Sequence, residues 1–157
     1  MIHIAVTGHR DLAPDVRRTV TALLTAHLEP YGCEMVGLSC LADGADAVFA
    51  ETVVAAGAPL EAVIPASGYR EALPEEHHPV YDRLLRRAVL VHTLPHTEST
   101  PEAHLEAGRL LVRRCDQLVA VWDGQPARGP GGTADVVAYA RSLFRPVSVL
   151  WPEGARR

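Results

Sequence analysis

The sequence predicts an α/β fold: one three-layer domain, with a mostly parallel sheet of about six strands and helices on both faces. Two observations predict it. Short apolar runs alternate along the chain with segments whose apolar residues recur at helical spacing, the order that builds parallel strands joined by right-handed crossovers. Several of those runs feed glycine-containing loops that open into the next helix, so the loops gather at the carboxyl ends of the strands, where such sheets bind ligands.

Taken in order, Ile2 to Val6 is the first strand and ends in Thr7-Gly8-His9-Arg10; Val16, Val20, Leu23, Leu24 and Leu28 then mark a helix. Met35 to Leu38 is the second strand, followed by the loop SCLADGAD and a helix carrying Val48, Phe49, Val53 and Ala56 on one face. Gly57 is its natural stop. Leu60 to Ile64 is the third strand, broken by Pro65, and Pro65 to Pro79 reads as a long loop before a helix near Val80 to Arg87. Val89 to His92 is the fourth strand. Thr100 is placed to cap the next helix, with Pro101 at its first position, and that helix runs to about Arg114.

Leu118 to Trp122 is the fifth strand, rich in the β-formers Val119, Val121 and Trp122. A loop holding Gly124, Pro126, Gly129, Pro130, Gly131 and Gly132 follows, and a helix opens near Thr133 with Val136, Val137, Ala140, Leu143 and Phe144 on one side. Val147 to Trp151 is the sixth strand. The domain is expected to span residues 1–152, with 153–157 a polar tail. With the common strand order 3-2-1-4-5-6, the loops after strands one, two, four and five would meet around one cleft.

Composition narrows the function. The 157 residues are 48% hydrophobic and 22% charged, with a net charge of −4, as in a soluble globular domain that lacks a strongly basic nucleic-acid surface. No apolar run reaches membrane-spanning length, and MIHIAVTGHR has neither the charged lead nor the apolar core of a signal peptide. A cytoplasmic location is expected. Three scattered cysteines make no disulfide framework or zinc cage, and eight histidines form no HExxH pair, so no metal and no cofactor is expected.

The loops hold the candidate ligand-binding residues. Thr7-Gly8-His9-Arg10 lacks the GxGxxG of nicotinamide dehydrogenases, but Gly8 permits close approach and the planar fork of Arg10 matches a phosphate. In the second loop Ser39, Ala42, Gly44 and Asp46 are candidates; Asp43 and Asp46 could equally be helix caps. After the fifth strand, Asp123 could accept from ribose hydroxyls or make an Asx turn with Gly124, and Arg128 could close over a phosphate. The amides of Gly131, Gly132 and Thr133 would lie at a helix N-terminus, a ready anion site. Tyr69, in the long loop, could stack on a base or anchor the loop.

Two stretches carry a resemblance. Ser39-Cys40-Leu41-Ala42-Asp43-Gly44-Ala45-Asp46 resembles the S-G-x-A-x-G-[IA]-D signature of the DNA-processing protein A (Smf) family, with Cys40 in place of its glycine. Gly131-Gly132-Thr133-Ala134-Asp135 resembles the P-G-G-x-G-T-x-E-E loop of the Lonely Guy phosphoribohydrolases, with Asp135 where those enzymes carry their first glutamate. Both families belong to the Rossmann-like SLOG superfamily, and the similarity extends from TGHR to the last strand. The resemblance implies a Rossmann-like fold and a homodimer or higher homo-oligomer. For the hydrolases it implies a carboxylate that stabilises an oxocarbenium-like state, here Asp135, with Arg109 or Arg10 holding the phosphate.

Three functions are therefore expected, in order. The first is binding of a nucleotide or nucleotide-derived ligand, as a sensor or as an enzyme of unassigned reaction. Hydrolysis of the N-glycosidic bond of a nucleoside 5'-monophosphate comes second. Single-stranded DNA binding is third, and the acidic balance makes a DNA partner unlikely.

Overall fold

Ile4, Ala5 and Val6 have no exposed surface, and the strand that carries them, β1 (Ile2–Gly8), lies in the interior of the sheet. The computed structural model describes residues 1–127, 129 and 131–156. The other strands are β2 (Met35–Ser39), β3 (Leu60–Ile64), β4 (Leu90–Thr93), β5 (Gln117–Val121) and β6 (Val147–Leu150). Every neighbouring pair is parallel.

The strand order is β4-β3-β2-β1-β5-β6, which corrects the expected 3-2-1-4-5-6. The fourth strand continues past β3 to the edge, and β5 takes the place beside β1. Burial explains the choice. Leu118, Val119, Ala120 and Val121 are apolar on both faces and fully buried, whereas β4 alternates into His92 and Thr93 and leaves Leu90 and Val91 half exposed.

Alternation along the strands divides the core into two layers. Ile4, Val6, Val119 and Val121 face α1 (Pro14–Leu28), α2 (Ala45–Ala55) and α4 (His78–Arg87); Ala5, Leu38, Val63, Leu118 and Ala120 face α5 (Pro101–Arg114) and α6 (Thr133–Ser142). The short α3 (Tyr69–Ala72) and a 3₁₀ turn at Glu75–His77 fill the stretch expected to be a long loop, where Tyr69, Leu73 and His77 are buried.

Helix ends follow the local chemistry. Thr100 caps α5, its hydroxyl accepting from the Ala103 amide at 3.1 Å, with Pro101 in the first turn. After α2, the amides of Gly57 and Ala58 return to the carbonyls of Val54 and Val53, the Schellman pattern. Helix α6 closes in the same way, Phe144 and Arg145 donating to Arg141 and Ala140. Phe144 was expected on the buried face of α6; it instead sits past the helix end, at φ 57°, and is 93% exposed.

At the opposite pole from the strand C-termini, Glu61 of β3 is buried between His92 Nε2 and Arg114 Nη2, each 3.0 Å away, with His3 Nε2 at 3.9 Å. Among the described residues no helix is long and apolar enough to cross a membrane.

Candidate functional site

Beyond Gly8 and Val121, which are register partners, β1 and β5 hand their chains to opposite faces of the sheet: the first leads to α1, the second to α6. That divergence opens a crevice at the strand C-termini, as parallel sheets do where strand order reverses. It holds a cavity of about 890 Å³. Gly8 leaves no room for more than a hydrogen here, since a Cβ would lie 2.5 Å from that of Ala45.

One wall is the first loop. Thr7, Gly8, His9 and Arg10 all line the cleft. The Arg10 guanidinium is held by Asp43, Nε and Nη2 lying 2.9 and 2.8 Å from the same carboxylate oxygen. Asp43 also accepts from the Asp11 amide at 3.2 Å, so it braces this loop and does not cap α2, whose N-cap is Gly44. His9 is buried, its Nε2 3.1 Å from both the amide nitrogen and the carboxylate of Asp123, and its ring meets Trp151 edge to face at 5.1 Å.

The floor comes from the second loop. Ala42 and Asp46 line the cleft beside Cys40. Burial pushes the Asp46 carboxyl up to about 7, against the opposing pull of the Ala42 amide and Arg10, with Asp43 adding to the rise. Burial, reinforced by the Asp46 charge, also pushes the Cys40 thiol up, so Cys40 stays protonated. Ser39 is fully buried and does not line the cleft: its hydroxyl donates to the Asp46 carbonyl and accepts from the Leu41 amide, both at 3.0 Å. Gly44 is likewise beneath the surface of the site.

The far wall joins α3, α5 and α6. Tyr69 lines the cleft but is only 4% exposed, lodged edge-on between Tyr81 at 6.0 Å and His104 at 5.9 Å, so it anchors its segment. Gly131, Gly132 and Thr133 line the cleft at the start of α6. The Gly131 amide donates to Asp135 Oδ2 at 3.2 Å, which turns that carboxylate into the loop and away from the cleft lining.

The remaining candidates lie elsewhere. Arg109 is exposed, its guanidinium 5.5 Å above the Tyr139 ring, outside the lining residues. The Asp123 carboxylate accepts from the Gln125 amide at 3.0 Å, the Asx turn around Gly124, whose φ is 84°. Arg128 falls outside the described residues.

The structure adds two residues that sequence reasoning missed. His104, in the first turn of α5, lines the cleft with its Nε2 2.7 Å from Ser99 Oγ; burial and the nearby Arg10 charge hold it below the usual histidine range, hence neutral. Its place four residues past a capping threonine, facing the strand ends, was the available signal. Arg156 also lines the cleft, brought there by a turn after β6. Among the described residues no group of three or more His, Cys, Asp or Glu is placed to hold a metal ion.

No protein-family model and no curated protein sequence matches the chain. Solved structures do. DNA processing protein A from Streptococcus pneumoniae superposes with a TM-score of 0.71 at 17% identity, over 98% of this chain and 51% of that one. The protein of the same name from Helicobacter pylori, whose structure concerns single-stranded DNA binding, gives 0.72 at 18% identity, over 99% and 67%. The molybdenum cofactor binding protein of Rippkaea orientalis gives 0.63 at 15% identity, over 94% and 75%. The chain spans about half the length of the Streptococcus protein. With its parallel six-stranded sheet between two helical layers, the chain shares the three-layer α/β fold of these solved structures.

Proposed function

We propose that this protein binds a nucleotide or nucleotide-derived ligand in the cleft between the ends of β1 and β5. The observation that carries the reading is the pairing of a cavity of about 890 Å³, within the range of small-molecule sites, with an arginine already oriented at its rim by Asp43. A guanidinium fixed on one side keeps its other N–H donors directed outward, the geometry that receives a phosphate. The amide of Thr133 starts α6 on the opposite wall, where the helix dipole adds to the same preference. Neutral surroundings for a base are available deeper, against Tyr69, Pro65 and Leu111.

Hydrolysis of a nucleotide N-glycosidic bond is carried less well. Asp135 is engaged by the Gly131 amide and Arg109 lies away from the cleft, so the two residues singled out for that chemistry do not face a common substrate. Asp46, poised near neutrality inside the cleft, is the better placed proton-transfer group. A second reading, single-stranded DNA in the same cleft, is favoured by the fold shared with the two DNA processing proteins and disfavoured by the net charge of −4.

The test is a thermal-shift screen against AMP, other nucleoside monophosphates, ADP-ribose, NAD and cyclic nucleotides, with mass-spectrometric detection of free base. A ligand at a hundred times its dissociation constant stabilises by about 2.7 kcal/mol, a shift of several degrees. A shift that Arg10→Ala abolishes supports the reading. No shift with any of them, alongside salt-dependent binding of an oligothymidylate, replaces it with the DNA reading.

A further inference from the structure

The segment after β6 is built to deliver a side chain. Pro152 to Ala155 form a tight turn, the Ala155 amide donating to the Pro152 carbonyl at 3.1 Å, with Gly154 at φ 74° in the position where a type II turn requires it. The turn is fastened by Trp151, whose indole N–H donates to the Ala155 carbonyl at 3.0 Å. Trp151 is itself fixed by its edge-to-face contact with the buried His9, which is tied in turn to Asp123 at the end of β5. Ends of β1, β5 and β6 are thereby locked together, and the next residue, Arg156, lies on the lining of the cleft.

Nothing in the fold accounts for Arg156 being there. Among the described residues no carboxylate or carbonyl pairs with its guanidinium, although the chain carries 19 acidic residues and a net negative charge. It sits across the sequence from Arg10, which enters the same cleft from the end of β1.

We propose that Arg156 binds the anionic group of the ligand together with Arg10, and that Trp151 is the positioning residue that holds it in place. The inference rests on the ligand being a phosphate-bearing nucleotide derivative, and it assigns recognition of that phosphate to a clamp of two arginines far apart in the sequence that meet at one cleft. Two guanidinium forks match the oxygens of a phosphate or diphosphate, which one fork leaves partly unpaired.

The test is calorimetric titration of AMP and ADP-ribose into the wild type, Arg156→Ala, Arg156→Lys, Trp151→Phe and the Trp151→Phe/Arg156→Ala double variant. Trp151→Phe keeps an aromatic ring beside His9 and removes the indole donor together with part of the ring's area. Arg156→Ala is expected to weaken binding by roughly tenfold or more, as loss of a charge-assisted hydrogen bond does, with Arg156→Lys recovering part of it and melting temperatures unchanged. Trp151→Phe should weaken binding similarly, and the double variant no further than Arg156→Ala alone. Wild-type affinity in Arg156→Ala, or losses that add in the double variant, would overturn the clamp and leave nucleotide binding standing. Failure of the wild type to bind these two or any other nucleotide of the thermal-shift screen would overturn both.

Discussion

The carbonyl oxygen of His9 lies where the side chain of residue 44 would have to be: a Cβ on Gly44 would come within 2.6 Å of it and 2.9 Å of the Arg10 α-carbon. The contact is fastened by the Ala45 amide, which donates to the same His9 carbonyl at 3.1 Å. Gly44 also holds φ 87°, a region L side chains rarely adopt. Two loops that each supply cleft residues are thus interlocked through one glycine.

Gly44→Ala should therefore cost more than an ordinary loop substitution, about 2–4 kcal/mol, because strain and a backbone clash act together. Urea unfolding reads the loss. Any nucleotide-induced thermal shift should shrink as well, since Arg10 moves with the displaced loop.

Asp46 predicts the direction of a pH dependence. Its folded pKa of about 7 lies above the ordinary carboxylate value, so between pH 4 and 7 the native state holds a proton that the unfolded state has lost. Stability should fall as pH rises through this window and level off above about pH 7. The contribution is roughly 2–4 kcal/mol at its upper bound, reduced because solvent in the cleft screens the charge. Asp46→Asn should flatten the slope and be the more stable protein at pH 8; an unchanged slope in chemical denaturation across this range would contradict the assignment.

Glu61 predicts the opposite sign. Burial alone would raise its pKa, but the hydrogen bonds from His92 and Arg114 outweigh burial and hold the carboxyl below its usual range. Its stabilising effect is present above the unfolded-state value and is lost as pH falls through the folded one. Glu61→Gln should cost about 1–3 kcal/mol at pH 7 by leaving Arg114 and His92 without their anion. The cost should shrink progressively as pH falls below the ordinary carboxylate value and through the lower folded one, which melts at pH 7 and along a descending acid series would show.

Phe144 occupies the left-handed position of the Schellman cap on α6, with its ring in solvent. A bulky residue is strained there and packs against nothing that repays it. Phe144→Gly should stabilise the fold by about 1 kcal/mol, the relief of left-handed strain less the entropy of glycine. A lower melting temperature would mean that the ring has a contact role.

The layers of the fold were legible because alternation and helical spacing are local. Each apolar run became a strand, and Thr100, Pro101 and Gly57 marked helix ends by chemistry confined to one turn. Strand order was not legible: whether the fourth strand lies beside the first or beyond the third depends on relative burial, which spacing along one chain does not encode. The cleft was half legible for the same reason. Thr7 to Arg10 end β1 and lead out of it, Gly131 to Thr133 open α6, and both line the cleft. Ser39 and Asp135, equally polar and equally placed in their motifs, point their side chains at backbone, and His104 and Arg156 reach the cleft from segments whose direction only the packed structure sets.

The central place of β1 has a consequence in time. Its register joins Ile4 to Gln117 and Gly8 to Val121, so the crevice exists only once chain segments more than a hundred residues apart have paired. Contacts that distant are slow to form, because loop closure must precede any gain from them. Neighbouring units such as β2 with α2 can assemble first, yet none of them alone presents two walls to a ligand. During refolding, recovery of the proposed nucleotide binding should track the slowest phase, and a ligand added early should leave the rate of that phase unchanged while slowing unfolding of the finished protein.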